Sequence, residues 1–166
     1  MATKTFTFEK LPTTLDELKT LPEANLQDAF ATIALTVAAF AAYPTDKDAA
    51  LEMLNFLKGP EEVSAYDKSF IADRFSDKDY VPKSFFEGAT PDNNYEPNKP
   101  YTISVSDNPY SYQSEGYATL YITSGGADSP RAVRVRQKKS TGEWFINGYG
   151  GILMGIREPK ALDPWA

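Results

Sequence analysis

A chain of 166 residues with 42% hydrophobic and 13% aromatic residues can bury a sizeable core, and its length predicts one domain, residues 1–166. It contains no cysteine and no histidine, which excludes disulfides, thiolate or imidazole metal sites, and every catalytic mechanism with an imidazole base. The net charge of −6 argues against general binding to the phosphate backbone of nucleic acids.

The N-terminal part of the chain predicts a short strand and a short helix. Residues 5–10 alternate with a period of two, which is typical of a strand, and Pro12 ends it. Residues 14–17 form a capping-box pattern that opens a helix, which Pro22 stops. Residues 1–11 contain neither a continuous apolar segment nor a small-residue cleavage site, so we expect no secretory signal and a cytoplasmic location.

The most apolar part of the chain, residues 28–43, predicts a buried helix around which the other elements pack. A helix that is apolar nearly all round usually lies in a protein core. A membrane span needs about 20 apolar residues, whereas this segment is shorter and is bounded by Asp28 and Pro44. We therefore expect no membrane span. At helical spacing the large side chains form one ridge, which consists of Leu26, Phe30, Ile33, Val37 and Phe40.

Two further helices and a long irregular segment are predicted before the strands begin. Residues 45–48 cap a helix that ends at Gly59. Ser64 caps the next helix, which extends to Phe75. Residues 76–100 are rich in proline and asparagine and show no sustained period. Because this segment also carries large aromatic side chains, we expect them to anchor it to the body of the protein.

From Tyr101 onwards the pattern is that of antiparallel strands. Apolar and polar residues alternate over four segments, and Gly142 predicts a hairpin turn between the last two. Helices followed by strands are typical of an α+β fold. We predict a helical part over about 12–76, a long loop over 76–100 and a sheet part over 101–156. In this fold the buried central helix packs on a C-terminal antiparallel sheet.

Two packing details follow from this pattern. The aromatic Phe145 must find cover away from the inner face of the sheet, since its strand neighbours occupy that face. Trp165, close to the end of the chain, is expected to fold back onto the body of the protein. The inner face itself is predicted to include Val133, Val135, Trp144 and Ile146.

Positive charges are concentrated in one short segment of this acidic chain. Arg134 and Arg136 should share one face of a strand. Such a face would bind a phosphate, a nucleic acid or an acidic partner protein. The structural alternative is a solvated strand whose lysines discourage edge-to-edge association, and we favour this alternative because such charges are routine on strands. The segment contains Arg131, Arg134, Arg136, Lys138 and Lys139.

Tyrosines are also concentrated, in the region that precedes and opens the strands. Tyrosine is amphipathic and enriched at interfaces, so an exposed group of tyrosines would form a docking or sugar-stacking surface. Cross-strand pairing and loop anchoring explain the pattern equally well. The group consists of Tyr95, Tyr101, Tyr110, Tyr112, Tyr117 and Tyr121, of which Tyr95, Tyr110 and Tyr112 are the candidate binding residues.

The sequence offers little support for metal binding or catalysis. Asp92, Asn94 and Glu96 alternate like the start of a calcium loop, but Pro97 stands where that loop requires glycine. Residues 148–151 are rich in glycine but lack the lysine and hydroxyl residue of a phosphate-binding loop. Paired carboxylates remain as acid–base groups, although no particular pair is indicated. We therefore predict no metal, no cofactor and no catalytic residue.

Several specific segments resemble a small bacterial family, domain of unknown function 6935. They are EMLNFLKGP (52–60), SFFEGATPDNNY (84–95), KPYTISVSDNPYSY (99–112), GGADSPRAVRVRQKKSTGEWF (125–145) and DPWA (163–166). The resemblance extends over nearly the whole chain. It implies a bacterial, free-standing domain and supplies no activity, cofactor or catalytic residue.

Three functions are compatible with these observations. The first is a non-enzymatic interaction module that presents the tyrosine-rich region and the arginine strand to a protein or a small anionic ligand. The second is a small-molecule pocket or carboxylate-based enzyme between helices and sheet, which requires a deep apolar cavity with two acids of raised pKa. The third is an assembly subunit, which requires a large exposed apolar patch. The oligomeric state is not indicated.

Overall fold

The computed structural model describes residues 2–165, which form an α+β fold of four α-helices and five β-strands. The predicted fold class is confirmed. Met1 and Ala166, the ends of the predicted domain range, lie outside the described residues. In chain order the elements are β1 (Thr3–Phe8), α1 (Leu15–Lys19), α2 (Ala29–Ala41), α3 (Lys47–Lys58), α4 (Ala65–Phe75), β2 (Tyr101–Ser106), β3 (Tyr117–Ile122), β4 (Arg131–Gln137) and β5 (Trp144–Gly148).

The five strands form one antiparallel sheet in the order β1-β2-β3-β4-β5. β1 pairs with β2 along its whole length, from Thr3 opposite Ser106 to Phe8 opposite Tyr101. The prediction of a sheet built only from residues after Tyr101 is therefore wrong. The N-terminal strand joins the sheet because Phe8 is buried in the same core as the C-terminal strands.

The central helix α2 is enclosed by its own chain. Asp28 caps it by accepting a hydrogen bond from the backbone N–H of Phe30 at 2.9 Å, and all residues of α2 except the last are buried. The hydroxyl of Thr32 donates to the carbonyl oxygen of Trp144 at 2.9 Å, and that of Thr36 donates to the carbonyl oxygen of Thr32 at 2.8 Å. The predicted buried helix is confirmed. No helix in the described part of the chain has the length and apolarity to cross a membrane.

One face of the sheet packs on α2 and contributes buried side chains to the core. Trp144 lies on this face but is only half-buried, because β5 is the edge strand. The predicted inward orientation of Val133, Val135 and Ile146 is confirmed by their burial. The buried side chains of this face are Ile103, Val105, Ala118, Leu120, Ile122, Val133, Val135 and Ile146.

The opposite face of the sheet, called here the outer face, is open to solvent. On β1 and β2 it carries hydroxyl side chains that pair across the strands, with 2.9 Å between the oxygens of Thr3 and Ser106 and of Thr5 and Ser104. On β4 it carries the exposed side chains of Arg134 and Arg136. Hydroxyl pairs thus occupy one half of the face, and cationic groups occupy the other.

The connection between α3 and α4 covers part of β5. Gly59 ends α3 with a φ of +66°. A Cβ atom at this position would lie 2.4 Å from the ring of Phe145, so the ring rests directly on the glycine backbone. Ser64 and Asp67 then form a capping box that starts α4. The cover that Phe145 was predicted to need is therefore provided by the end of α3.

The long segment between α4 and β2 is anchored by its own side chains, as predicted. Tyr95 is 0% exposed, its hydroxyl donates to the carbonyl oxygen of Arg157, and its ring stacks on Tyr80 with 5.3 Å between centroids. The hydroxyl of Ser124 donates to that of Ser84 at 2.7 Å, which ties the segment to the end of β3. Other buried side chains of this segment are Val81, Phe85 and Phe86.

The C-terminal tryptophan does not pack as predicted. Trp165 is 92% exposed. Its backbone N–H donates to the carboxylate of Asp163 at 2.8 Å. This local hydrogen bond turns the chain while leaving the indole ring in solvent. The expectation that Trp165 folds back onto the body is therefore wrong.

Candidate functional site

A surface groove lies on the outer face of the sheet, beside β4 and β5 and below the connection between α3 and α4. We call it the β5 groove; its volume is about 490 Å³. Its lining combines cationic, carboxylate and apolar groups. The cations are Lys58, Arg136, Lys138 and Lys139, the carboxylates are Glu61 and Glu115, and the apolar wall includes Pro60, Tyr117 and Phe145.

The arginines of β4 are held on the outer face by an aromatic ring. Tyr117 on β3 lies directly opposite Arg136. The guanidinium carbons of Arg134 and Arg136 lie 4.2 and 5.3 Å from the centroid of the Tyr117 ring. Cation–π contact at an exposed site is worth about 0.5–1 kcal/mol. The prediction that these two arginines share one strand face is confirmed, although only Arg136 lines the β5 groove.

Lys58, in the last turn of α3, is the most enclosed cation of the groove. Its side chain is 10% exposed and its ammonium nitrogen lies 5.5 Å from the centroid of the Tyr149 ring. Its ion pair with Asp67 is 3.5 Å long, which exceeds the ~2.7–3.2 Å of an ordinary hydrogen bond. A lysine ammonium has three N–H donors. The contacts with Asp67 and with the Tyr149 ring therefore leave the Lys58 ammonium group without a short charge-assisted hydrogen bond to either residue.

Asp67, the ion-pair partner of Lys58, is held by a polar network. Its carboxylate accepts hydrogen bonds from the Tyr149 hydroxyl at 2.6 Å and from the Ser64 backbone N–H at 2.9 Å. Burial alone would raise the pKa of Asp67, but these hydrogen bonds and the nearby Lys58 lower it below its ordinary value of 3.8. Burial, followed by the hydrogen bond to Asp67, raises the pKa of Tyr149. The network thus keeps Asp67 ionised and Tyr149 protonated.

The carboxylates at the mouth of the groove pair loosely with its cations. Glu61 lies 3.4 Å from Arg136, and Glu115 lies 3.3 Å from Lys139. All four side chains are more than half exposed. Exposed ion pairs of this kind contribute only about 0–1 kcal/mol. An anion entering the groove can therefore displace either carboxylate at small cost.

Arg131 does not belong to this cationic wall. It is spaced by two residues from the buried Val133 and so lies on the same side of the strand, away from the outer face that carries Arg134 and Arg136. One of its terminal nitrogens donates to the carbonyl oxygen of Gly155 at 2.6 Å. Arg131 therefore fastens the segment after β5 to the sheet, and the predicted group of five cations is divided between two places.

The candidate tyrosines are likewise separated. Tyr95 is buried, so its predicted role as a surface contact is wrong; burial first, and the Tyr80 hydroxyl second, raise its pKa to about 12. Tyr110 and Tyr112 are 69% and 52% exposed in the connection between β2 and β3. The Tyr112 hydroxyl donates to Asp107 at 2.8 Å, and burial together with that carboxylate raises the Tyr112 pKa to about 12. Neither exposed tyrosine lines the β5 groove.

Sequence reasoning missed the groove residues at the end of α3, as well as Glu115 and Phe145, as site residues. Lys58, Pro60 and Glu61 surround the end of α3, where the pattern signalled only a helix terminus. The contact between Glu61 and Arg136 joins positions 75 residues apart in the chain. No local pattern encodes that approach, although the Gly59–Pro60 pair marks where the chain changes direction.

A carboxylate-based enzyme requires a deep apolar cavity that holds two acids of raised pKa. Wherever the pKa of a carboxyl side chain in residues 2–165 departs clearly from its ordinary value, the shift is downward: Glu17, Asp67 and Asp107. A general acid needs the opposite shift. The space between α2 and the sheet is filled by the buried side chains of the core.

A second cavity lies beside the loop that contains Pro91 and has a volume of about 520 Å³. Its charges are largely matched at the surface. Lys160 lies 2.5 Å from Asp92, and Arg157 lies 2.9 Å from Asp128. Its lining carries three acidic side chains and two basic ones, so its small excess of charge is negative and it lacks the cationic character of the β5 groove.

The fold and its groove define a two-layer α+β domain with one face of its sheet open and a cationic cleft at the β5 edge. The chain belongs to the family described as Domain of unknown function (DUF6935), whose sequence profile matches residues 10–160. The suspected family is thereby confirmed. Searches of curated proteins and of solved structures give no match.

Proposed function

We propose that this domain is a non-enzymatic binding module that holds a small anionic ligand in the β5 groove. The observation that carries the proposal is Lys58, a cation only 10% exposed whose ion pair with Asp67 is long at 3.5 Å. Burying a cation is costly unless it is paired. An incoming anion would supply the short, charge-assisted hydrogen bonds that Lys58 lacks.

The charge and size of the groove support the same ligand class. Four cations and two carboxylates line it, so the groove carries a net charge of about +2 in a chain of net charge −6. Its volume of about 490 Å³ lies within the range of about 300–1,000 Å³ typical of small-molecule sites. Arg136 offers planar N–H donors that suit a phosphate or a carboxylate.

Titration of the ¹⁵N-labelled protein with inorganic phosphate and with citrate tests the proposal. The backbone amides of Lys58, Glu61 and Arg136 should shift on addition of at least one of these anions. Arg136→Gln should weaken binding at least about tenfold, because a hydrogen bond to a charged group contributes about 1.5–3 kcal/mol.

Lys10→Gln is the matched control for this experiment. Lys10 is an exposed cation that pairs with Glu17 at 3.7 Å, much as Arg136 pairs with Glu61, but it does not line the groove. Its replacement removes one positive charge and should leave the affinity unchanged. Equal weakening by both substitutions, or no shift of groove amides with either anion, would reject the proposal.

A second candidate function is docking of an acidic protein segment along β4. The observation in its favour is Arg134, which is exposed beside the groove and stacks on Tyr117 at 4.2 Å. A hexaglutamate peptide separates the two candidates. Arg134→Gln should weaken binding of the peptide and leave phosphate binding intact if a protein segment is the partner. Equal peptide affinity before and after the substitution would remove this candidate.

A further inference from the structure

We infer that the anion recognised in the β5 groove is carried on a flat aromatic ring, as in an aryl phosphate or an aryl carboxylate. This inference rests on the proposed function and adds the class of ligand. It follows from the two planar surfaces that line the groove beside its cations. These surfaces are the ring of Phe145 and the stack formed by Tyr117 and Arg136.

The ring of Phe145 is a fixed apolar wall. Its neighbour Ile146 points into the core and is 3% exposed, so Phe145 points to the outer face of β5. The ring rests on the backbone of Gly59, where an added Cβ would lie 2.4 Å away. One side of the ring is thus held by the protein, while the half-buried side chain still lines the groove.

The second surface is a cationic plane. The guanidinium of Arg136 lies over the ring of Tyr117 at 5.3 Å, with Arg134 nearer at 4.2 Å. A guanidinium held in this way presents a flat face for stacking and N–H groups at its edge for an anion. Arg136 can therefore contact both the ring and the anionic group of one ligand.

These contacts predict that the groove binds an aryl anion more tightly than an inorganic anion. The anionic group would bind Lys58 and Arg136, and the attached ring would lie against Phe145 and Pro60. A favourable aromatic contact adds about 0.5–1.5 kcal/mol beyond simple burial of area. Together with the apolar area covered, this should make an aryl anion bind about tenfold or more tightly than its inorganic or aliphatic counterpart.

Two matched pairs of probes test the inference: phenyl phosphate against inorganic phosphate, and benzoate against acetate. Isothermal titration should give about tenfold tighter binding for the aromatic member of each pair that binds. Affinities within twofold would overturn the inference and leave the proposed function intact. Binding by none of the four probes would overturn both. Tighter binding of ribose 5-phosphate than of phenyl phosphate would show that the groove prefers hydroxyl groups, and would also overturn the inference.

The variant Phe145→Leu tests whether the ring of Phe145 causes the preference for aryl anions. Leucine keeps an apolar side chain on Gly59 but removes the ring, so phenyl phosphate and inorganic phosphate should bind the variant with about equal affinity. An undiminished advantage in the variant would overturn the role of Phe145. If the variant does not fold, the wild-type protein decides the question: nuclear Overhauser contacts between phenyl phosphate and Phe145 ring protons are expected, and contacts elsewhere exclude this placement.

Discussion

Replacing Gly59 with alanine should destabilise the protein through two separate costs. Gly59 has φ +66° and ψ −124°, a region of backbone conformation that is almost confined to glycine. Holding another residue there costs about 1–3 kcal/mol. The new Cβ would also lie 2.4 Å from the ring of Phe145, and overpacking of this kind costs about 1–3 kcal/mol. We expect a total loss of about 2–6 kcal/mol in the free energy of unfolding.

A double-mutant cycle separates the two costs. In a Phe145→Ala background the ring is absent, so Gly59→Ala should cost only the backbone contribution of about 1–3 kcal/mol. Urea unfolding of the wild type, both single variants and the double variant measures the difference. Equal losses in the two backgrounds would show that the ring does not oppose the Cβ atom. A loss below about 0.5 kcal/mol in the wild-type background would refute both parts of the reasoning.

Three further outcomes follow from the buried groups. Tyr149→Phe removes the 2.6 Å hydrogen bond to Asp67 and should lower the free energy of unfolding by about 1.5–3 kcal/mol; an unchanged urea midpoint would contradict this. Since the folded-state pKa of Asp67 lies below 3.8, its ionisation stabilises the fold above that pH, and the contribution is lost as pH falls through the folded pKa. Asp67→Asn should therefore flatten the acid limb of the stability–pH curve, and identical slopes would contradict the assignment. Leu120→Ala, at a side chain 0% exposed, should cost about 2–5 kcal/mol in the same urea assay, and a cost below about 1 kcal/mol would show that the core relaxes around it.

Elements specified by local patterns could be predicted from the sequence. The apolar ridge identified α2 because most of its residues lie within the helix itself, although Leu26, the first of them, precedes the helix and has a φ of +61°. The alternation in residues 131–137 likewise identified β4 and the shared outer face of Arg134 and Arg136. In both elements the spacing of apolar residues along the sequence matches the repeat of the backbone, so the pattern alone identifies the element.

Pairing between distant segments could not be predicted in the same way. The strand pattern near the N-terminus was visible, but nothing within it identified β2 as its partner. The same limit applies to tyrosines. Tyr95 and Tyr110 both lie in segments that contain asparagine and proline, yet Tyr95 is 0% exposed and Tyr110 is 69% exposed. Burial of a single side chain depends on which distant residues surround it, and that information is absent from a local window.

The candidate site shows the same division between local and distant information. Arg136 was identifiable because charge on a strand is a local property. Lys58 was not, since its enclosure depends on Asp67, Tyr149 and the turn at Gly59. The sequence therefore predicts the cations in and after β4, and the fold decides which of them meet Lys58 and Glu61 from the end of α3.

Residues at the end of α3 affect both the stability of the fold and the geometry of the groove. Gly59 supports the ring of Phe145. Asp67 forms an ion pair with Lys58 and accepts a hydrogen bond from Tyr149. Changes at these positions should therefore alter stability and ligand affinity together. Arg136 makes its contacts at the surface, through Tyr117 and the exposed Glu61. Its replacement should change affinity with little effect on the free energy of unfolding, which makes it the position where binding can be tested apart from folding.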